Sequence, residues 1–288
     1  VRFYAQSFEV VMSVHSVEIV KYNKDNVQKK LDVVAVEEPL EIRLEYGNRE
    51  EREWESIAVT MRTPGDDFEL ALGFLFSEGI IQKFSQVHSI YHCQKNTQRN
   101  IVYVKLKQNV KVNIHQRNFY MTSSCGVCGK AAIEHLVTES TFLAQTKTSP
   151  LQMHSSLICG LPGKLYAAQQ NFKHTGGLHA AGLFDCKALL LDIKEDVGRH
   201  NAFDKLYGAS LIKCNLPLSE CVVVASGRAS FELIQKSAMA GIPVFVAVGA
   251  PSSLAVRLAN ESGITLIGFT RENRFNVYSH ADRIVDLL

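Results

Sequence analysis

Cys125 and Cys128 lie in the run Thr122-Ser123-Ser124-Cys125-Gly126-Val127-Cys128-Gly129-Lys130. Gly126 and Gly129 disfavour helix and let the backbone bend around the sulfurs. The hydroxyls of Ser123 and Ser124 and the ammonium of Lys130 favour ionisation of a nearby thiol, and the thiolate is the reactive form. The segment reads as sulfur placed for chemistry rather than packed in a core. Three chemistries use one Cys-x-x-Cys. Zinc normally takes four ligands; no second Cys-x-x-Cys is present, and His179 and His200 would complete a site only by meeting in the fold. Thioredoxin-type exchange puts the motif at a helix start near the front of a small fold, whereas here it falls mid-chain. Sulfur carriage needs an accessible thiolate on a mobile loop beside a site that holds the acceptor.

A second group of residues gathers after apolar runs. Cys221-Val222-Val223-Val224-Ala225 is followed by Ser226-Gly227-Arg228-Ala229-Ser230, and Val244–Val248 by Gly249-Ala250-Pro251-Ser252-Ser253. Ile264–Ile267 leads to Phe269-Thr270-Arg271-Glu272-Asn273-Arg274, and Leu189–Asp192 to Glu195-Asp196-Val197-Gly198-Arg199-His200-Asn201. Continuous apolar runs of this kind mark strands covered on both faces, and ligands collect beyond the carboxyl ends of parallel strands. If these strands are parallel neighbours, one edge gathers Arg199, Arg228, Arg271, Arg274, several hydroxyls and the N-termini of three helices. Helix N-termini and arginines both suit phosphate, so a phosphorylated, nucleotide-bearing ligand is expected there. Plainer roles compete. Ser226 and Ser252 can be helix caps, Arg271 and Arg274 solvated turn residues, and His179 a satisfied core histidine. His200 can simply pair with Asp204, four residues on. No loop carries the dinucleotide-binding glycine pattern or the Walker pattern.

The elements that position these groups follow from periodicity. Leu40-Glu41-Ile42-Arg43-Leu44 and Ile57-Ala58-Val59-Thr60-Met61 alternate as half-buried strands. Thr63-Pro64-Gly65-Asp66 ends the second, and Asp66 with Glu69 predicts a capped helix over 67–77 that is apolar on most of its surface and therefore buried. Strands return at Val87–Tyr91 and Ile101–Leu106. Helical spacing follows over Ala131–Leu143. From Leu189 onward strand and helix alternate, with helices expected near 201–211, 229–239 and 254–260. Repeated units of this kind build a sheet, at least partly parallel, between helix layers. The expected fold class is α/β, with a mixed subdomain over 1–118 and a three-layer sandwich over 119–288.

The chain has 288 residues, 46% of them apolar and 21% charged, so it can bury a large core without disulfides or metal. A net charge of +2 argues against a general nucleic-acid binder. Seven cysteines without a framework spacing point to a reducing cytosol, with Cys159, Cys186, Cys214 and Cys221 expected to pack. No run reaches the roughly 18 apolar residues of a membrane span. The N-terminus lacks an export pattern, and residues before about Val17 are expected to be a poorly ordered lead.

The chain resembles the FdhD family of formate dehydrogenase accessory sulfurtransferases. The resemblance rests on Val34–Leu40, Thr63–Asp67, Leu72–Gly79, the Cys125–Cys128 loop, Thr175–Ala181, Glu195–Lys205 and Ser226–Ser230. It implies a cytoplasmic, homodimeric sulfur carrier that takes persulfide sulfur from a cysteine desulfurase. The sulfur passes to the bis-molybdopterin guanine dinucleotide form of molybdenum cofactor before insertion into apo formate dehydrogenase. Cys125 would hold the persulfide and Cys128 assist. Phe269, Thr270, Arg271, Glu272, Asn273 and Arg274, with Arg228 and His200, would hold the cofactor and its guanine nucleotide. Here Arg271-Glu272-Asn273 stands where some relatives have Lys-Pro-Gly, a more charged and less rigid turn. The resemblance implies a cytidine-deaminase-like second half, but His179 is followed by Ala180-Ala181, so the His-x-Glu that deamination needs is absent. No structural metal, nucleic acid or membrane is expected. The competing class is a zinc- or nucleotide-binding regulator with structural cysteines.

Overall fold

The computed structural model describes residues 2–3, 13–24, 26–48, 51–93, 99–108, 110, 112 and 142–286. Cys125, Cys128 and Lys130 lie outside them, as do the expected boundary near Arg117–Met121 and the helix over 131–143 apart from Phe142 and Leu143.

The first half is strand-rich. β1 is Arg2–Phe3, and β2 (Val14–Asn23) with β3 (Asn26–Ala35) forms a two-stranded antiparallel ribbon. The stretch before Val17 is thus partly strand rather than a loose lead: Val14 pairs with Ala35. β4 (Glu38–Gly47) and β5 (Arg52–Arg62) follow, then β6 (Val87–His92) and β7 (Ile101–Leu106), in the sheet order β1-β6-β7-β4-β5. Alternation decides the faces. Leu40, Ile42 and Leu44 are fully buried, while outward-facing Glu41 and Arg43 form an ion pair of 2.7 Å.

Between β5 and β6 lies α1 (Asp67–Ser77), buried on nearly every side as its composition predicts. Its expected side-chain cap is absent. Asp66 adopts a left-handed conformation (φ 53°), and its carboxylate accepts from Lys194 Nζ at 2.9 Å instead.

The second half contains α2 (Leu143–Thr148), α3 (Ser155–Ala168), α4 (Gln170–Thr175), β8 (His179–Asp185) and β9 (Leu190–Asp196). Then come α5 (Arg199–Ile212), β10 (Cys221–Ala225), α6 (Phe231–Met239), β11 (Val244–Ala247), α7 (Ser253–Ser262), β12 (Thr265–Arg271) and β13 (Arg274–Ser279). The sheet order is β13-β12-β11-β10-β8-β9. β10, β11 and β12 are parallel; β8 and β13 are antiparallel to their neighbours. Helices α5, α6 and α7 cover one face, packing on Val223, Ala225, Phe245 and Leu266, and α3 covers the other, packing on Val222, Val224, Val246 and Ile267. The chain therefore has the mixed α/β character expected, with three layers in its second half.

The two halves share a core. Leu40, Ile42 and Val104 of the first sheet, Leu72 and Phe76 of α1, and Phe203 and Leu206 of α5 belong to one continuous apolar cluster. α1 and α5 cross at Gly73 and Gly208: a Cβ on Gly73 would overlap the Asp204 carbonyl, and one on Gly208 would overlap the Glu69 carbonyl. Only glycine lets the two backbones meet there.

Candidate functional site

β9, β10, β11 and β12 all end at one edge of the second sheet. They are not all neighbours, because antiparallel β8 lies between β9 and β10. That reversal brings the first residue of β8, His179, to the same edge, opposite Asp196. Three helices begin there, α5 after Gly198, α6 after Ser230 and α7 after Ser252. Ser252 caps α7, its hydroxyl accepting from Ala255 N at 3.2 Å. Ser226 does not cap a helix: its hydroxyl accepts from Ala180 N at 2.8 Å and extends the pairing of β8 with β10.

Much of the Glu195–Lys205 segment holds the edge together. Asp196 is 0% exposed and forms an ion pair with Lys205 Nζ at 2.7 Å, itself 2% exposed. The Asp196 carboxylate accepts from Thr63 N (3.1 Å), Gly198 N (2.8 Å) and Asn201 Nδ2 (3.1 Å). Lys205 also donates to Thr63 O at 2.9 Å, and Asn201 donates to Met61 O at 2.7 Å. The Thr63–Asp67 segment of the first half thus grips the turn between β9 and α5. Asp204 does not pair with His200 as its spacing suggested. It accepts from Lys236 at 2.8 and 2.9 Å and from Ser77 at 3.0 Å, inside the core. His200 turns the other way, with Nε2 2.8 Å from Glu232 and 3.2 Å from Ser230 Oγ. The hydrogen bond to His200 lowers the Glu232 carboxyl below its ordinary value. His179 is half-buried; burial, then the Arg199 charge, lowers its affinity for a proton.

The stretch from Phe269 to Arg274 is a hairpin rather than a loop after the last strand. Arg271 pairs with Arg274 across the two-residue turn Glu272-Asn273, and β13 returns along β12. Phe269 is 45% exposed in a left-handed conformation (φ 53°), and Thr270 is buried with its hydroxyl unpartnered. Arg271 donates to Val248 O and Thr270 O, both at 2.8 Å. Arg228 and Arg274 are exposed.

A cavity of about 600 Å³ opens at this edge. Leu178, His179, Ser226, Val248, Arg271 and Glu272 form one side; Cys159, Tyr166, Gln169 and Phe172, from α3 and α4 and the residue between them, form the other. Arg271 and Glu272 are the expected ligand residues that line it, while Phe269, Thr270, Asn273, Arg274, Arg228 and His200 do not. The α3–α4 wall was not anticipated, although Ile158, Leu161 and Leu165 recur at helical spacing and are buried. Burial raises the Cys159 thiol above its ordinary value, and pushes Cys221 up to about 11. Cys186 and Cys214 are exposed rather than packed, because each sits in a turn outside the apolar runs. Among the described residues, no three His, Cys, Asp or Glu side chains are grouped to hold a metal ion.

Residues 35–285 match the FdhD/NarQ family. The chain belongs to this family. Its relatives include the sulfur carrier protein FdhD of Streptomyces coelicolor, 46% identical over 93% of this chain and 94% of that protein. The FdhD of Mycobacterium tuberculosis is 44% identical, over 90% and 94% of the two chains. That of Saccharolobus solfataricus is 40% identical, over 93% and 96%. A crystal structure from Desulfotalea psychrophila, assigned as a formate dehydrogenase accessory protein, superposes with a TM-score of 0.70 at 24% identity, covering 95% of this chain and all of that one. The FdhD/NarQ match covers both sheets apart from β1, so the α1–α5 crossing and the cavity edge fall within the family region.

Proposed function

We propose that this chain is a sulfur carrier that loads molybdenum cofactor for formate dehydrogenase. Cys125 attacks the outer sulfur of a persulfide on a cysteine desulfurase. The donor's cysteine thiolate leaves, and Cys125 holds the sulfur as its own persulfide. The acceptor, bis-molybdopterin guanine dinucleotide, is a substrate held at the cavity before it enters the apoenzyme. Cys128 either relays the sulfur or attacks the inner sulfur of Cys125, which oxidises two thiols to a disulfide and releases the carried atom as sulfide. A reducing cytosol keeps both thiols free for this cycle, and the carrier works as a homodimer.

The observation that carries the reading is the cavity edge. Arg271 lines the cavity, and the three helix N-termini at that edge favour anionic groups. Membership of a family with sulfur-carrier relatives supplies the sulfur. The test incubates the purified protein with a desulfurase and free cysteine, then analyses the Cys125 peptide by mass spectrometry. One added sulfur, lost on reduction, supports the carrier. An unmodified peptide, or stoichiometric zinc bound through both thiols, refutes it.

A further inference from the structure

A ladder of side chains crosses the outer face of the first sheet, on the side of Glu41 and Arg43. Tyr91 of β6 stacks on Tyr103 of β7 with ring centroids 5.4 Å apart. Arg43 of β4 donates to the Tyr103 hydroxyl at 2.7 Å. Its Cζ lies 5.4 Å from the centroid of that ring and 4.8 Å from that of Trp54 on β5. Trp54 is the only tryptophan in the chain and is 59% exposed. Lys105 comes next after Tyr103 on the same face of β7. There a groove of about 610 Å³ opens, lined by Arg52, His88, Lys105, Lys107 and Gln108. No carboxylate lines it among the described residues. Glu45, opposite Lys105 on β4, is held by Lys105 at 2.7 Å and by Arg52 at 3.4 Å. Lys107 and His88 are exposed and have no ion-pair partner among the described residues.

Trp, Tyr and Arg carry most of the energy of protein–protein interfaces, and exposed apolar surface framed by charge marks them. Neither a glycine nor a helix N-terminus, the usual holders of phosphate, lines the groove. With a net charge of only +2, the cations form a local patch rather than the broad basic face of a nucleic-acid binder. The face therefore suits a protein that presents carboxylates around an apolar anchor. It lies apart from the cavity edge, whose described lining comes entirely from the second half. In sequence, the Cys125 segment runs between the half with the groove and the half with the cavity. A carrier that meets both a donor and an acceptor needs a separate surface for each. We propose that the face of Trp54 and Lys107 docks the protein that supplies the persulfide, through an acidic patch on that donor. The donor's carboxylates enter the groove, and an apolar side chain packs on Trp54 beside Arg43. This inference rests on the sulfur-carrier reading above and gives the donor its place on the chain.

Calorimetry of the full chain against a purified cysteine desulfurase tests it, with two variants at different parts of the face. His88→Glu combined with Lys107→Glu should weaken docking about tenfold or more in about 0.1 M salt. That deficit should shrink in about 1 M salt, as the Debye length falls from about 10 Å to about 3 Å. Trp54→Ala, which removes an exposed ring, should weaken docking about tenfold or more with little dependence on salt. The two act separately, so a folding fault in one leaves the other to decide. Mass spectrometry then reads the sulfur on Cys125. Loading from the desulfurase should fall in both variants. Glutathione persulfide gives its outer sulfur to the Cys125 thiolate and leaves as glutathione thiolate; it needs no docking, so loading from it should be unchanged. Docking equal to wild type in both variants overturns the proposal. So does an equal loss of loading from both sources in both variants, which would put the effect on the thiol. If binding of an RNA hairpin, and not of the desulfurase, falls in the charge variant, the groove takes nucleic acid and the proposal is wrong. If wild type loads from glutathione persulfide but does not dock the desulfurase, the donor surface falls and the carrier chemistry stands. If Cys125 loads from neither source, the carrier reading itself fails.

Discussion

Asp196→Asn should cost this protein about 3–5 kcal/mol, the range for removing one partner of a buried ion pair. The substitution keeps the volume and one acceptor, so no cavity forms. What changes is Lys205, which at 2% exposure loses its only carboxylate partner among the described residues and faces an amide across 2.7 Å. The carbonyl of Thr63 at 2.9 Å remains, but it carries no compensating charge. Equilibrium urea denaturation of wild type, Asp196→Asn, Lys205→Met and the double variant measures the effect. The double variant should lose well under the sum of the singles, because neither charge is left alone. A single-variant loss below about 1 kcal/mol, or strictly additive losses, would refute the view that this pair clamps the two halves.

Other outcomes follow from the same geometry. Gly73→Ala or Gly208→Ala should each cost at least the roughly 1–3 kcal/mol of an overpacked core, read as a fall in thermal midpoint, since the added carbon meets backbone. His179 and His92 are both half-buried, and desolvation lowers the proton affinity of each. The unfolded chain therefore binds more protons near their ordinary value, and stability should be complete above it and decline as pH falls through the folded values. A Tm series across that window should flatten in His179→Gln if the assignment is right. Cys125→Ala should abolish formate dehydrogenase activity in a complementing strain, and full complementation would remove Cys125 from the mechanism.

Most elements were legible where one physical signal dominated. α1 occupies Asp67–Ser77 because its apolar residues go all the way round and Gly79 follows its end. β10 reads as a covered strand because both neighbouring layers demand apolar side chains. α3 was illegible because Gly160, Pro162 and Gly163 disfavour helix, yet tertiary packing of Ile158, Leu161 and Leu165 overrides them. β13 hid behind a charged turn: Phe275 and Val277 alternate toward the second core, but Arg271-Glu272-Asn273-Arg274 lacks the glycine that signals a tight hairpin. The edge itself was legible in outline. Its cavity was not, since half of the wall comes from the unread helix.

The family segments divide by burial rather than by motif. Asp196, Asn201, Asp204 and Lys205 are buried and point into the junction of the halves, while His179 and Arg271 line the cavity. Among the described residues, none from the first half lines that cavity. Its contribution is made through the backbone of Met61 and Thr63 and the hydroxyls of Thr60 and Thr63, which fix the turn from which Arg199 and the N-terminus of α5 emerge. A low-dielectric, fully bonded network transmits a local loss poorly as a gradient and well as a break. Disrupting Thr63–Asp196 should therefore alter the cationic edge as a unit, displacing a helix N-terminus and a guanidinium together. The first sheet in this sense supports the cavity edge without lining the cavity, and the Thr63–Asp67 and Glu195–Lys205 segments form one bonded unit despite lying far apart in the chain.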